Sequence, residues 1–277
     1  MSAVLSVLLP ASNEARFIGP CLNALLASGP VPGFSVEVIV IANGCTDDTA
    51  ARARRFAPVA AERGWQLKVI EQAEGSKIGA LNAGDLVAVG RLRAYLDADV
   101  VVSPDLLAAL TDALQDDAPR YATGTPVIAP AQSVATRLYA RLWQQVPFMR
   151  RAAPGFGLYE VNAAGRSRWG PFPDVISDDT LVRLHFAPSE RVQVSACYRW
   201  PMVEGFANLV RVRRRQDRGV AQIAALYPHL VVNDAKPPAP LLPLMRADPL
   251  AFGVYAAVAV AVRLGRGRNR DAWVRGR

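Results

Sequence analysis

The chain has 277 residues, of which 51% are hydrophobic and 20% are charged, so it forms one large globular domain or two small ones and is not a disordered polypeptide. Its net charge of +8 comes from the C-terminal end, because residues 211–277 contain 13 Lys/Arg against 4 Asp/Glu. No nucleic-acid-binding motif accompanies that charge, so we predict no nucleic-acid partner and consider an anionic membrane surface instead.

Cysteine usage and the N-terminus both point to the cytosol. The three cysteines (Cys21, Cys45 and Cys197) are far apart and odd in number, which indicates neither a disulfide framework nor a zinc site. The N-terminus runs directly into an apolar strand, without the basic region and cleavage site of a signal peptide. We therefore expect a cytoplasmic protein.

Apolar runs alternate with segments of helical spacing in the first part of the chain. Residues 5–9 and 37–42 predict two buried strands, residues 66–71 predict a third strand, and residues 93–102 contain a short fourth strand that ends in the carboxylates Asp97 and Asp99. We expect helices between them, the first capped by Ser12 or Asn13, the second reaching about Arg63, and the third opened by Gly75–Gly79. Strands that alternate with helices predict an α/β fold with a mostly parallel sheet and helices on both faces.

Polar residues follow these strands at the edge where such sheets bind ligands. They are Ser12, Asn13, Asn43, Gly44, Asp97 and Asp99. Asp97 and Asp99 are two apart at a strand end, so both can bind one hard cation such as Mg²⁺, or one can bind a cation and the other a ribose. The first turn has neither G-x-G-x-x-G nor a P-loop motif, which argues against dinucleotide-binding and P-loop enzymes.

Five segments, in order over roughly residues 4–220, resemble a family-2 glycosyltransferase with the GT-A fold. Residues 7–14 resemble the family's P-x-x-N-E turn, and residues 38–49 resemble its D-x-S-x-D-x-T turn, with Asn43 in place of the first Asp. Residues 77–84 resemble K-G-x-A-x-N-x-G, residues 96–99 contain the D-x-D, and residues 172–184 resemble the acidic E-D motif.

This resemblance implies a site for a nucleoside-diphosphate sugar, with UDP favoured, and a Mg²⁺ or Mn²⁺ cofactor. The implied nucleotide-sugar-binding residues are Pro10, Ala11, Ser12, Glu14, Asn43, Lys77, Asp97, Ala98 and Asp99. Asn43 would face the base and Lys77 the phosphates. Asp97 would contact the ribose, and Asp99 would bind the metal.

The resemblance also implies the acceptor side. Asp179 would be the catalytic base and Asp178 would orient it, although Ser177-Asp178-Asp179 also suits an N-cap run that starts a helix at Thr180. Trp169 is either a sugar-stacking platform or a buried core residue.

Two arginines lie where processive relatives carry Q-x-x-R-W. Arg215 and Arg218 would neutralise the diphosphate or lie on a solvated helix face. Because the motif's Gln and Trp are missing, a single transfer per acceptor is favoured over processive synthesis.

The residues between these motifs and the end of the chain complete the predicted organisation. We assign residues 1–230 to a GT-A domain (nucleotide half 1–103, acceptor half 104–230), with a helix at 132–150, and residues 231–277 to a basic, partly apolar tail. The tail's 13 uncharged residues, 250–262, are too few for a spanning helix, which needs about 20. They predict either an interfacial membrane anchor or a helix that packs on the domain with a solvated basic end.

The sequence thus predicts an inverting, metal-dependent glycosyltransferase that uses a hydroxyl acceptor, either lipid-linked or an envelope polysaccharide. The basic tail leaves open a peripheral association with the inner face of the cell membrane. Two alternatives remain: a sugar-nucleotide pyrophosphorylase, against which the first turn argues, and a catalytically silent nucleotide-sugar-binding or membrane scaffold protein.

Overall fold

A computed structural model describes residues 3–235 and 237–265. Its strands are β1 (Ala3–Ala11), β2 (Phe34–Asn43), β3 (Gln66–Gln72), β4 (Leu92–Leu96), β5 (Val101–Val102), β6 (Tyr121–Ile128), β7 (Leu158–Asn162) and β8 (Arg191–Trp200). Its helices are α1 (Ile18–Leu26), α2 (Thr49–Arg54), α3 (Ala57–Glu62), α4 (Lys77–Val87), α5 (Leu106–Ala113), α6 (Val134–Trp143), α7 (Pro147–Arg151), α8 (Ala163–Arg166), α9 (Asp178–Leu184), α10 (Phe206–Leu226), α11 (Leu241–Ala247) and α12 (Pro249–Leu264).

All eight strands belong to one sheet, in the order β3-β2-β1-β4-β7-β6-β8-β5. The first four of these are parallel, as the alternating pattern predicts. From β4 the sheet continues through the antiparallel strand β7 to β6, and β8 runs parallel to β6. The predicted α/β sheet is confirmed, and the strands of the second half extend it.

Helices cover both faces of the sheet. Successive side chains of a strand point to opposite faces, so apolar residues of one strand pack against helices on both sides. Leu5, Val7 and Leu9 of β1 pack in a core with α1 and α5. Leu8 points to the other face, where it packs with residues of α4 such as Leu81. A strand buried on both sides is the reason for the continuous apolar runs in the sequence.

Three predicted helices differ from the structure. The first begins at Ile18 without a side-chain cap, so the predicted cap at Ser12 or Asn13 is wrong. The second is divided at Arg55–Phe56 into α2 and α3. The helix predicted at residues 132–150 is also divided: Val146 is extended (ψ 132°), as residues before a proline tend to be, and Pro147 begins α7.

The last helix packs on the rest of the domain. Val258 and Val262 of α12 are buried against Tyr139 of α6 and Leu209 of α10. Among residues 3–235 and 237–265, no helix is long and apolar enough to cross a membrane. The arginines predicted as a basic end beyond Gly265 lie outside the described residues.

Candidate active site

A cavity of about 510 Å³ opens at the carboxyl ends of the parallel strands, within the usual range for small-molecule sites. Most of the predicted site residues line it. They are Pro10, Ser12, Glu14, Asn43, Lys77, Asp97, Ala98, Asp99, Asp179 and Arg215. Residues far apart in the sequence are therefore brought to one place by the topology of the sheet.

Hydrogen bonds join the turns after β1 and β2. Asn13, which has a positive φ of 51°, accepts a hydrogen bond at Oδ1 from the Thr46 N–H at 2.6 Å. The Glu14 N–H donates to Thr49 Oγ1 at 2.7 Å. Asn13 is thus used to tie two loops together and not to cap a helix.

Asn43 is nearly inaccessible, with 3% of its surface exposed. Its Nδ2 donates to the backbone oxygens of Ala11 (3.0 Å) and Ile41 (3.2 Å). These bonds fix the side chain at the ends of β1 and β2. The amide donors are already used, so the remaining polar atom that Asn43 can offer a ligand is its carbonyl oxygen.

Gly44 allows the neighbouring loop to approach. Its φ is +53°, and a Cβ at this position would lie 2.5 Å from the Cα of Gly75. A side chain here would therefore both strain the backbone and separate the loop after β2 from the start of α4.

Lys77, at the first position of α4, connects the strand-end carboxylates with the acidic pair. Its Nζ lies 3.1 Å from Asp97 Oδ1 and 3.2 Å from Asp178 Oδ1. Burial alone would lower the pKa of Lys77, but the carboxylates of Asp178, Asp97 and Asp179 raise it. Lys77 is therefore a permanent cation between two acidic groups.

The acidic pair forms the first turn of α9, where the helix dipole favours negative charge. The helix starts at Asp178, two residues before the predicted start, and Ser177 makes no side-chain cap. Asp178 is buried, whereas Asp179 is partly exposed and lines the cavity.

The surroundings of Asp179 raise its pKa. Burial, followed by repulsion from Asp178, raises the pKa of Asp179 to about 6, and Lys77 limits the rise. Its Oδ1 also accepts from the Thr180 N–H at 2.6 Å. A carboxylate with a pKa near 6 is ionised at neutral pH and is basic enough to take a proton in a reaction.

The strand-end carboxylates fit a divalent cation. The Asp97 N–H donates to the Gly157 carbonyl at 2.9 Å, which fixes the turn that carries Asp97 and Asp99 into the cavity. The described residues contain no cluster of three or more His, Cys, Asp or Glu side chains that could hold a metal. A Mg²⁺ site completed by substrate phosphates and water needs only one or two carboxylates, and this donor set fits it.

Some predicted residues lie away from the cavity. Ala11 is 1% exposed within the core, and Asp178 contributes to a neighbouring small cavity together with Lys77. Trp169 is buried, with its ring stacked on His185 at 5.6 Å, so of its two predicted roles the structure places it in the core. Arg218 is exposed on α10 and does not line the cavity, whereas Arg215 does.

The apolar part of the cavity lining was not predicted from the sequence. It consists of Tyr139, Trp143, Val146, Phe148, Phe156, Trp200, Met202, Val203, Leu209, Val212, Val220 and Tyr255. These residues come from α6, α7, β8, α10, α12 and the loops between them, and in the sequence each resembles an ordinary core residue. We call this set the apolar wall.

Comparison with known proteins identifies relatives of this arrangement. The model of the family described as Glycosyl transferase family 2 matches residues 6–167. Among curated proteins, the dolichyl-phosphate beta-glucosyltransferase of Drosophila melanogaster is 32% identical over 151 residues, which cover 50% of this chain and 46% of that protein. The matched segments span 30–46% of the curated relatives' own lengths.

Solved structures share the fold at low identity. The mannosyltransferase PcManGT from Pyrobaculum calidifontis, in complex with GDP-Man and Mn²⁺, has a TM-score of 0.61 and 22% identity, covering 95% of this chain and 75% of that chain. Glucosyl-3-phosphoglycerate synthase from Mycobacterium tuberculosis, in complex with Mn²⁺, UDP and glucosyl-3-phosphoglycerate, has a TM-score of 0.55 and 18% identity, covering 80% and 79%. The predicted fold class is therefore confirmed.

Proposed function

The chain belongs to glycosyltransferase family 2, and we propose that it is an inverting, metal-dependent enzyme that moves a sugar from a nucleoside-diphosphate sugar to a hydroxyl acceptor. One observation carries the proposal. Lys77 pairs with Asp97 on the donor side and with Asp178 of the acidic pair, in a cavity that Asp99 and Asp179 also line. Lys77 thus connects the carboxylates proposed to bind the leaving diphosphate with the acidic pair that contains the proposed base.

The chemistry assigned to these residues is a direct displacement. The acceptor oxygen attacks the anomeric carbon of the donor sugar and forms the new glycosidic bond, while the bond from that carbon to the phosphate oxygen breaks. Asp179 takes the proton of the acceptor hydroxyl, and the electron pair of the broken bond leaves on the nucleoside diphosphate. A single displacement inverts the anomeric configuration.

Charge stabilisation is divided between the chain and a cation. Asp99, supported by Asp97, would hold Mg²⁺ or Mn²⁺, and the bound cation stabilises the negative charge of the departing diphosphate. Lys77 supplies a second positive charge that is fixed in place before the reaction. Asp178 holds Lys77 and, through repulsion, keeps Asp179 basic.

For the donor, we favour a UDP-sugar. The two structural neighbours are in complexes with GDP-Man and with UDP, so the fold accommodates either base. Asn43 would meet the base with a neutral carbonyl acceptor, where the family pattern has an acidic residue.

For the acceptor and location, we propose a lipid-linked or envelope glycan reached from the cytoplasm. The exposed apolar side chains of Leu241, Leu242 and Leu250 lie in the same basic C-terminal region, which is a combination that favours an anionic membrane surface. The Drosophila relative is named a dolichyl-phosphate beta-glucosyltransferase, and this name supports a lipid-linked acceptor.

Calorimetric titration of UDP and GDP, with and without Mn²⁺, tests the donor site without knowledge of the acceptor. We expect one nucleotide to bind only with metal, and we expect Asp99→Ala to abolish that binding. Asp105→Ala is the matched control, since its carboxylate is near in sequence but accepts from Ser103 and does not line the cavity. If neither nucleotide binds the wild type with metal present, the proposal is wrong.

A further inference from the structure

The apolar wall contains few polar groups. Trp143, Phe156 and Trp200 form one aromatic cluster, with ring centroids 4.9–5.8 Å apart. Tyr139 and Tyr255 stack beside it at 5.3 Å and connect α6 with α12. This side of the cavity is therefore built from ring faces and aliphatic side chains.

The cavity is also lined by Gln216, Arg183, Arg213 and Asp217, of which the last three are already in ion pairs. Arg213 donates to Tyr139 Oη at 3.2 Å and pairs with Asp217 at 3.3 Å. A sugar buried here would lose the water around each hydroxyl group and gain few hydrogen bonds in return, which is unfavourable. A hydrocarbon chain would have no such loss, and its burial against the rings would be favourable.

One cation at this wall is available to an anionic ligand. Arg215 is partly exposed, lines the cavity, and makes no hydrogen bond or ion pair with the residues that the structure describes. The planar guanidinium is well suited to bind a phosphate through two parallel hydrogen bonds. Arg215 and the apolar wall thus present complementary surfaces to the two parts of an amphiphile.

We propose that the cavity has an acceptor subsite for a lipid phosphate, with the hydrocarbon chain against Trp143, Trp200 and Tyr255 and the phosphate at Arg215. The inference rests on the proposed function, because it assigns the lipid-linked class to the acceptor of that same site. In a lipid-linked acceptor the phosphate joins the hydrocarbon chain to a saccharide, and a hydroxyl of that saccharide would be presented to Asp179, which lines the same cavity. The C-terminal helix α12 is then part of the substrate site through Tyr255.

The experiment measures the quenching of tryptophan fluorescence, since two tryptophans belong to the proposed subsite. Four probes are titrated below their aggregation concentrations: farnesyl phosphate, dodecyl phosphate, farnesol and glycerol 1-phosphate. We expect a lipid phosphate to bind at least tenfold more tightly than glycerol 1-phosphate. If farnesyl phosphate binds more tightly than dodecyl phosphate, the hydrocarbon of the ligand is isoprenoid; if dodecyl phosphate binds more tightly, it is linear.

Variants locate the binding. Tyr255→Ala should weaken binding of the lipid phosphate at least tenfold, whereas Phe252→Ala, on the same helix and packed on the same cluster of Leu142, Leu244 and Ala251 but not lining the cavity, should change it less than twofold. Val212→Trp, which fills the cavity without removing a core side chain, should also block binding. Arg215→Gln should weaken binding of the lipid phosphate but leave binding of farnesol unchanged.

Two results would overturn the inference: no preference for the probes with a chain, or equal losses in Tyr255→Ala and Phe252→Ala. Nucleotide titration with Mn²⁺ is run on the same samples and should be unchanged in the Tyr255 variant. If the wild type does not bind a nucleotide with Mn²⁺ present, the glycosyltransferase proposal is refuted instead. The lipid titration decides the inference in either case.

Discussion

The two sides of the cavity are built in different ways. The donor side consists of polar residues at the ends of parallel strands and the start of α4, and each lies in a short motif within the first 99 residues. The apolar wall consists of ring and aliphatic side chains from segments spread over residues 139–255. Strand ends fix the first side through the backbone, whereas the second side exists only after distant helices have packed together. Under the proposed function, the donor side would carry the chemistry of the leaving group and the apolar wall would select the acceptor.

The largest expected effect comes from Asp179, which lines the cavity together with both sides. Asp179→Asn should reduce turnover of the nucleotide sugar, with water as the acceptor, by about 10²–10⁴-fold, because the amide cannot take a proton. The affinity for the nucleoside diphosphate and Mn²⁺ should remain within a factor of about three, since only the base is changed.

Asp174→Asn is the control for this variant, because Asp174 is exposed in the same segment and does not line the cavity. Equal losses of turnover in the two variants would show that Asp179 has no special role.

The pH dependence of the same reaction gives the next effect. Because the pKa of Asp179 is raised to about 6, turnover should fall about tenfold per pH unit below pH 6 and be level above it. Lys77→Gln removes a cation that lowers this pKa, so the fall should begin at higher pH. A rate that does not change between pH 7 and pH 4.5 would contradict this assignment.

A smaller effect concerns the free energy of unfolding, whose pH dependence should have opposite signs for a buried glutamate in the parallel part of the sheet and one in the antiparallel strand β7. Glu37, in β2, accepts from Ser6 (2.6 Å) and the Val89 N–H (2.8 Å) and pairs with Lys68 (2.9 Å). Despite burial, these partners lower the pKa of Glu37, so its stabilising effect is present above the unfolded-state value of 4.5 and is lost as the pH falls. Glu37→Gln should lower the free energy of unfolding at pH 7 by roughly 1–3 kcal/mol.

Glu160, in β7, should behave in the opposite way. It is fully buried, and its carboxylate oxygens have no hydrogen-bond partner among the described residues. Burial raises the pKa of Glu160 from 4.5 to about 8, so the unfolded chain releases this proton first and the stability falls as the pH rises between these values. Glu160→Leu should raise the free energy of unfolding at pH 8 by roughly 2–4 kcal/mol and much less at pH 4.5.

Chemical denaturation at pH 4.5, 6.5 and 8 checks both variants. A pH dependence unchanged by Glu160→Leu would show that this carboxyl is not buried in its neutral form.

The difference between the two sides also explains what the sequence could predict. The parallel strands and the residues at their ends could be predicted because a buried strand is a continuous apolar run and the ligand edge follows from the topology. The family resemblance added Lys77 and the Asp178–Asp179 pair, and the structure brings both beside the strand ends.

Tertiary contacts determined the features that could not be predicted. Asn13 is a residue type that often caps helices, but its side chain accepts a hydrogen bond from Thr46 in the loop after β2 instead. Trp143, Trp200 and Tyr255 carry no local signal for a cavity, because an aromatic residue in a core and one in a ligand site have the same sequence pattern. Their role depends on α12 packing on α6 and α10, which involves contacts between residues more than a hundred positions apart.

A crystal structure with the nucleoside diphosphate that binds, together with Mn²⁺, tests the central claim most directly. We expect an anomalous manganese peak within about 2.5 Å of the Asp99 carboxylate, a diphosphate between that ion and Lys77, and the apolar wall free of nucleotide. A nucleotide seated against Trp143 and Tyr255, or a manganese ion away from Asp99, would contradict the assignment of the two sides.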